Sequence, residues 1–88
     1  MKMNDAVLCA RARNAMQEGR LPTRPPDRTW GGPGIGAACA ICDLPVGRHG
    51  MEFELQFAID GDAPQFDVYH VHTSCYAAWE LERTRPAT

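Results

Sequence analysis

The sequence predicts one small α+β domain made of an N-terminal helix, an extended arm, a metal-binding knuckle, an antiparallel β-hairpin and a C-terminal helix. Three observations lead to this prediction. Apolar residues recur at helical spacing near both ends of the 88-residue chain. Between them, two segments alternate as strands do, and four cysteine and histidine residues have the spacing of metal ligands. A chain of this length has room for a single core and buries only about 60% of its unfolded surface, which leaves room for stabilisation by a metal ion.

The first helix is predicted at about residues 5–18. Asn4 or Asp5 can cap its N-terminus, and Gly19 is a natural end. Its apolar positions follow helical spacing: Leu8, Ala12, Ala15 and Met16. Cys9 lies on the same side of the helix, and we expect it to be a small hydrophobic core residue.

Residues 20–38 are rich in proline and glycine, a composition that excludes a helix or a central strand. We interpret this segment as an extended arm in which Trp30 is the one large anchor. The first helix and the arm form an N-terminal part, residues 1–36. Residues 37–88 form the predicted metal-binding module.

Two strands joined by the turn sequence DGDAPQ (60–65) form the predicted hairpin. One face of the first strand is apolar: Met51, Phe53, Leu55, Phe57 and Ile59. Its other face is predicted to be exposed and acidic, with Glu52 and Glu54. On the second strand, one face is shared by Phe66, Val68, His70 and His72. If that face continues the apolar surface, both histidines point inward.

The C-terminal helix follows the second strand directly. Thr73 or Ser74 can cap its N-terminus, and the helix ends by Pro86. One side of this helix is predicted to pack on the hairpin: Cys75, Ala78 and Trp79. Cys75 falls in the first turn, where the positive end of the helix dipole favours its thiolate form.

Four residues have metal-ligand spacing, C-x2-C, 29 residues, H-x2-C: Cys39, Cys42, His72 and Cys75. Two thiolates separated by two residues can chelate one ion from a tight turn, which Pro45 and Gly47 favour. His72 ends a strand and Cys75 starts a helix, so both side chains can reach the same ion. We predict a tetrahedral Cys3His site for one Zn²⁺ per chain. It is structural because the protein fills all four positions.

The sequence leaves open alternative roles for the neighbouring histidines and for the cysteine pair. His70 can replace His72 as the nitrogen ligand, hydrogen-bond to a ligand or pack in the core, and His49 is expected at the surface. The C-x2-C pair can also be a redox pair, although the proline and glycine that follow it argue against the helix of a thioredoxin-like site. We predict no catalytic residues and no enzymatic activity, since four protein ligands leave no open position for water and the motif order does not match that of zinc deaminases.

A knuckle, a hairpin and a helix that supplies the last two ligands resemble a treble-clef zinc finger over residues 37–84. Within that group, the ligand spacing and the run YHVHTSCYAAW are similar to the poly(ADP-ribose) polymerase-type finger, which recognises broken DNA. The resemblance implies ligand roles for Cys39, Cys42, His72 and Cys75. The whole chain, with its lead-in PPDRTWGGPGIGA, also resembles small bacterial zinc-binding proteins, which implies no activity.

The charge distribution bears on the choice of partner. Residues 1–38 contain six Lys/Arg and three Asp/Glu, whereas residues 39–83 contain eight Asp/Glu and two Arg. Because an acidic surface repels phosphate, the preferred hypothesis is a protein-interaction or regulatory module that uses Trp30, Glu52 and Glu54. The second hypothesis is a nucleic-acid-binding finger that uses the basic N-terminal residues Arg11, Arg13, Arg20, Arg24 and Arg28.

The expected cellular location follows from two kinds of segment that the sequence lacks. No segment approaches the roughly 18 consecutive apolar residues of a membrane span, and the N-terminus lacks the apolar run of a signal peptide. We therefore expect a cytoplasmic protein with no membrane partner and no small-molecule substrate. In that reducing compartment paired cysteines are more often metal ligands than disulfides.

Overall fold

The computed structural model describes residues 5–85 as two helices and one three-stranded antiparallel sheet. In chain order the elements are α1 (Asp5–Gln17), β1 (Arg28–Pro33), β2 (Met51–Ile59), β3 (Gln65–His72) and α2 (Thr73–Thr84). The predicted α+β class is confirmed. Two predicted boundary residues, Asn4 and Pro86, lie outside the described part of the chain. At the start of α2 the N-cap position is held by His72, whose backbone is still extended, rather than by Thr73 or Ser74.

The first helix ends in a glycine turn, as its sequence predicts. Gly19 has a φ of 74°, and its N–H donates to the Met16 carbonyl at 3.1 Å. A left-handed glycine closes a helix by pairing its last free carbonyls. Leu8, Ala12 and Ala15 are buried, and α1 packs against α2. Neither of the two described helices is long and apolar enough to cross a membrane.

The structure contains a strand, β1, where the sequence predicts only an extended arm. β1 pairs along its whole length with β2, and the strand order β1-β2-β3 places it at the sheet edge. An edge strand has one side free of ladder hydrogen bonds, so Pro33 is tolerated there. Gly31 allows close packing, because a Cβ at this position would lie 3.2 Å from the Phe53 ring.

The register between β2 and β3 decides which way the histidines point. Glu54 lies opposite His70, and Glu52 lies opposite His72. Directly opposed residues of an antiparallel pair share a face. The histidines therefore lie on the face of the two glutamates and do not continue the apolar face, so the condition under which both would point inward is not met. That apolar face is continued on β3 by Val71, which is fully buried.

The core lies between the apolar face of the sheet and the helices, with Trp79 at its centre. The Trp79 ring meets Phe57 edge-on, and its indole N–H donates to the Pro22 carbonyl at 3.1 Å. This bond ties the arm to α2. Trp30 is not the predicted anchor, because it is 58% exposed on the face opposite to the core. Leu21, only 1% exposed, anchors the arm instead.

Candidate metal centre

The first two cysteines lie in a tight turn formed by residues 38–46, here called the knuckle. The Cys39 N–H donates to the Leu44 carbonyl, and the Asp43 N–H donates to the Cys39 carbonyl, both at 2.9 Å. Asp43 has a φ of 65°, a left-handed conformation that aspartate adopts more readily than most residues. This local geometry forms the turn, and both Cys39 and Cys42 are buried within it.

The arm between β1 and the knuckle packs closely on the segment that leaves the knuckle. The Gly36 N–H donates to the Val46 carbonyl at 2.8 Å, and the Gly34 N–H donates to the Gly50 carbonyl at 2.9 Å. Gly34 is buried, and a Cβ there would collide with the carbonyls of Val46 and Gly47. Only glycine allows this backbone approach, which fixes the position of the knuckle beside the sheet.

The four predicted ligands come together where the knuckle meets the junction of β3 and α2. Their three Sγ atoms and one ring nitrogen lie within 4.8 Å of one another. Cys42 Sγ is 3.4 Å from His72 Nδ1, and Cys75 Sγ is 3.9 Å from it. In a tetrahedral zinc site, sulfur and nitrogen ligands lie about 3.5 Å apart. The group can therefore hold one metal ion, with Nδ1 as the imidazole ligand atom.

Hydrogen bonds and burial give the three thiols different proton affinities. The hydrogen bond with Cys75, helped by nearby backbone N–H groups, lowers the pKa of Cys39 to about 4. The same hydrogen bond, together with burial, raises the pKa of Cys75. Burial is the main cause that raises the pKa of Cys42. A bound dication would supply the positive charge that keeps all three sulfurs as thiolates.

His70 does not join this group. The Ala40 N–H of the knuckle donates to the His70 carbonyl at 2.9 Å, but the His70 ring lies against Glu52, with His70 Nδ1 2.6 Å from Glu52 Oε2. Glu52 is only 5% exposed, so the prediction that it lies on a solvent-exposed face is wrong. Glu54 is half-buried beside the same ring. The structure thus places His70 beside both glutamates, a grouping that the alternation of the separate strands does not predict.

The remaining predicted residues lie outside the Cys3His group. Cys9 is partly buried and packs against the core, as predicted, and His49 is exposed. Three of the basic N-terminal residues pair with carboxylates: Arg13 with Glu82, Arg20 with Glu18 and Arg24 with Asp27. Such pairs reduce the positive charge that remains for phosphate.

Comparison with known proteins returned no relative: no family model, no curated protein and no solved structure matches this chain. Among the residues from 5 to 85, the Cys3His group is thus assigned as a candidate metal centre on its residue types and geometry.

Proposed function

We propose that the protein is a small zinc-stabilised module that binds another protein. Zinc suits the centre because it accepts thiolate and imidazole together and favours four ligands. The knuckle supplies two ligands, and the end of β3 and the first turn of α2 supply the others, which supports a treble-clef-like arrangement of the poly(ADP-ribose) polymerase type. Four protein ligands leave no position for a reactive water, and this supports a structural metal rather than an enzyme.

The interaction role rests on one face of the sheet that neither described helix covers. α2 packs on the opposite face, where its aromatic residues meet Phe53 and Phe57. The uncovered surface, here called the open face, comprises Arg28, Trp30, Gln56, Ala58, Phe66 and Val68. Trp30 is 58% exposed and Val68 is 46% exposed. Exposed tryptophan on a rigid sheet is typical of the residues that dominate binding energy in protein interfaces.

The charge beside the open face favours a basic partner. Asp60 and Asp62 lie in the loop that joins β2 to β3, next to the Phe66 end of the open face, and both are exposed. Within residues 5–85 neither carboxylate has an ion-pair partner. The occupant that fits this surface is a protein segment with apolar side chains for Trp30 and Lys or Arg for the loop.

A displayed library of random peptides provides the test, with zinc-loaded protein as the target. We expect enriched peptides to combine basic and apolar residues and to bind the open face. Trp30→Ala should weaken the enriched peptides at least about ten-fold, the loss of an interface hot spot. Leu81→Ala is the matched control, since Leu81 is 55% exposed but lies on α2, away from the open face. Affinities are measured by fluorescence anisotropy.

Two results would contradict the interaction role. One is a set of enriched peptides whose affinities fall equally in Trp30→Ala and Leu81→Ala, because binding would then not involve the open face. The other is strong, salt-sensitive retention of the protein on DNA or heparin, which would favour the nucleic-acid hypothesis instead.

A further inference from the structure

A second group of metal-ligand side chains lies on the sheet beside the Cys3His group. It consists of Glu52, Glu54 and His70, and its ligand atoms also lie within 4.8 Å of one another. The strand register builds it, since Glu54 and His70 are directly opposed and Glu52 lies one row nearer to the knuckle on the same face. Two carboxylates and one imidazole on neighbouring strands thus converge on one place.

One carboxylate oxygen of Glu52 lacks a partner in this group. The Glu52 side chain is only 7% exposed, and Oε2 lies 2.6 Å from His70 Nδ1. Its other oxygen, Oε1, is fully buried and has no hydrogen-bond partner within the described part of the chain. A buried carboxylate oxygen without a partner is costly, and such groups are normally satisfied by a donor or a metal ion. The unpaired oxygen therefore indicates a bound ligand independently of the close spacing of the three side chains.

Glu54 and His70 are partly exposed, so solvent reaches the group of three side chains. Glu54 Oε1 lies 4.0 Å from His70 Nε2, and Glu54 Oε2 accepts a hydrogen bond from Gln56 Nε2 at 2.9 Å. About a third of the Glu54 side chain and a fifth of the His70 side chain are exposed. An ion can therefore enter from the open side of the sheet, and water can complete its coordination.

We propose that Glu52, Glu54 and His70 form a second divalent-cation site, separate from the Cys3His centre. The ion takes the place of the hydrogen bond between Glu52 Oε2 and His70 Nδ1, which becomes a ligand atom once its proton has moved to Nε2 of the same ring. The ion also neutralises Glu52 Oε1. One imidazole and two carboxylates suit Zn²⁺, Fe²⁺ or Mn²⁺ better than Mg²⁺ or Ca²⁺, which prefer oxygen ligands alone. With three protein ligands the coordination stays open on its solvent side.

The test starts from protein that carries one Zn²⁺ in the Cys3His centre and adds further Zn²⁺. Native mass spectrometry and calorimetry should show a second, weaker equivalent per chain. Glu54→Gln and Glu52→Gln should each weaken it at least about ten-fold, since even residues that only support a ligand cost 10–100-fold in affinity when removed. Glu80→Gln, which alters an ion pair with Arg83 on α2, should leave both equivalents unchanged.

Adding Co²⁺ in place of the second Zn²⁺ distinguishes thiolate ligands from carboxylate and imidazole ligands by the absorption spectrum. Co²⁺ held by carboxylates and imidazole lacks the strong charge-transfer band that thiolate ligands produce. Saturation at one Zn²⁺ per wild-type chain would overturn the proposal and leave Glu52 and His70 as a simple hydrogen-bonded pair. A second equivalent that both glutamine variants retain would overturn it as well. Because every variant is tested for the first zinc too, failure here is distinguishable from failure of the Cys3His centre.

Discussion

At the scale of single residues, Gly34 is the glycine that tolerates a side chain least. A Cβ there would collide with two backbone carbonyls, those of Val46 and Gly47, and neither can rotate away as a flexible side chain would. Replacing Gly34 with alanine should therefore destabilise the zinc-loaded protein by about 1–3 kcal/mol, the usual cost of overpacking. The measurement is the free energy of unfolding from urea titration.

Gly32→Ala is the matched control for that substitution. Nothing lies within 4 Å of a Cβ built on Gly32, two residues earlier in the same arm. Its free energy of unfolding should stay within about 1 kcal/mol of the wild-type value. Equal destabilisation by the two variants would show that the close approach of Gly34 to Val46 does not fix the knuckle.

The identity of the Cys3His residues could be predicted from the sequence, but the direction of neighbouring side chains could not. The spacing of Cys39 and Cys42 is local, so the motif alone indicates a chelating turn. The placement of Glu52 depends on strand register, and a one-residue shift moves every side chain to the other face. In the observed register Ile59 pairs with Gln65 across the loop, and this register places Glu54 opposite His70. The burial of Glu52 is a tertiary effect that alternation does not reveal.

At the scale of elements, β1 shows where local patterns fail. Its sequence, RTWGGP, has low intrinsic strand preference because glycine and proline are disfavoured in strands. The strand forms through pairing with β2, about twenty residues further along the chain, and only as an edge. The helices and the hairpin were predictable because their periodicity is contained within each segment.

Leu21 and Trp30, two of the large apolar residues of the arm, should differ sharply in their effect on stability. Leu21→Ala empties a fully buried site and should cost about 2–5 kcal/mol, whereas Trp30→Ala removes an exposed side chain and should change stability by about 0.5 kcal/mol or less. Thermal or urea unfolding of the zinc-loaded variants measures both. A larger loss for Trp30→Ala than for Leu21→Ala would restore Trp30 as the anchor of the arm.

At the scale of the whole molecule, one core joins the two parts that the sequence separates at residue 36. Buried residues from both sides belong to a single cluster, which includes Leu8 and Leu21 as well as Ile41, Val46 and Trp79. Cys39, Cys42 and Cys75 are members of the same cluster. The candidate metal centre is therefore part of the core, which α1 joins through its packing against α2.

Removal of the metal should consequently unfold α1 together with residues 37–84. Structural zinc contributes on the order of 10–16 kcal/mol of apparent binding free energy, comparable to the whole stability of a small domain. After chelation, or in Cys75→Ser, amide hydrogen exchange should lose protection in both helices. Cys9→Ser, a change outside the Cys3His group, should retain zinc and protection. If α1 stays protected while the knuckle exchanges freely, the metal stabilises only its own turn, and the shared core does not couple the two parts.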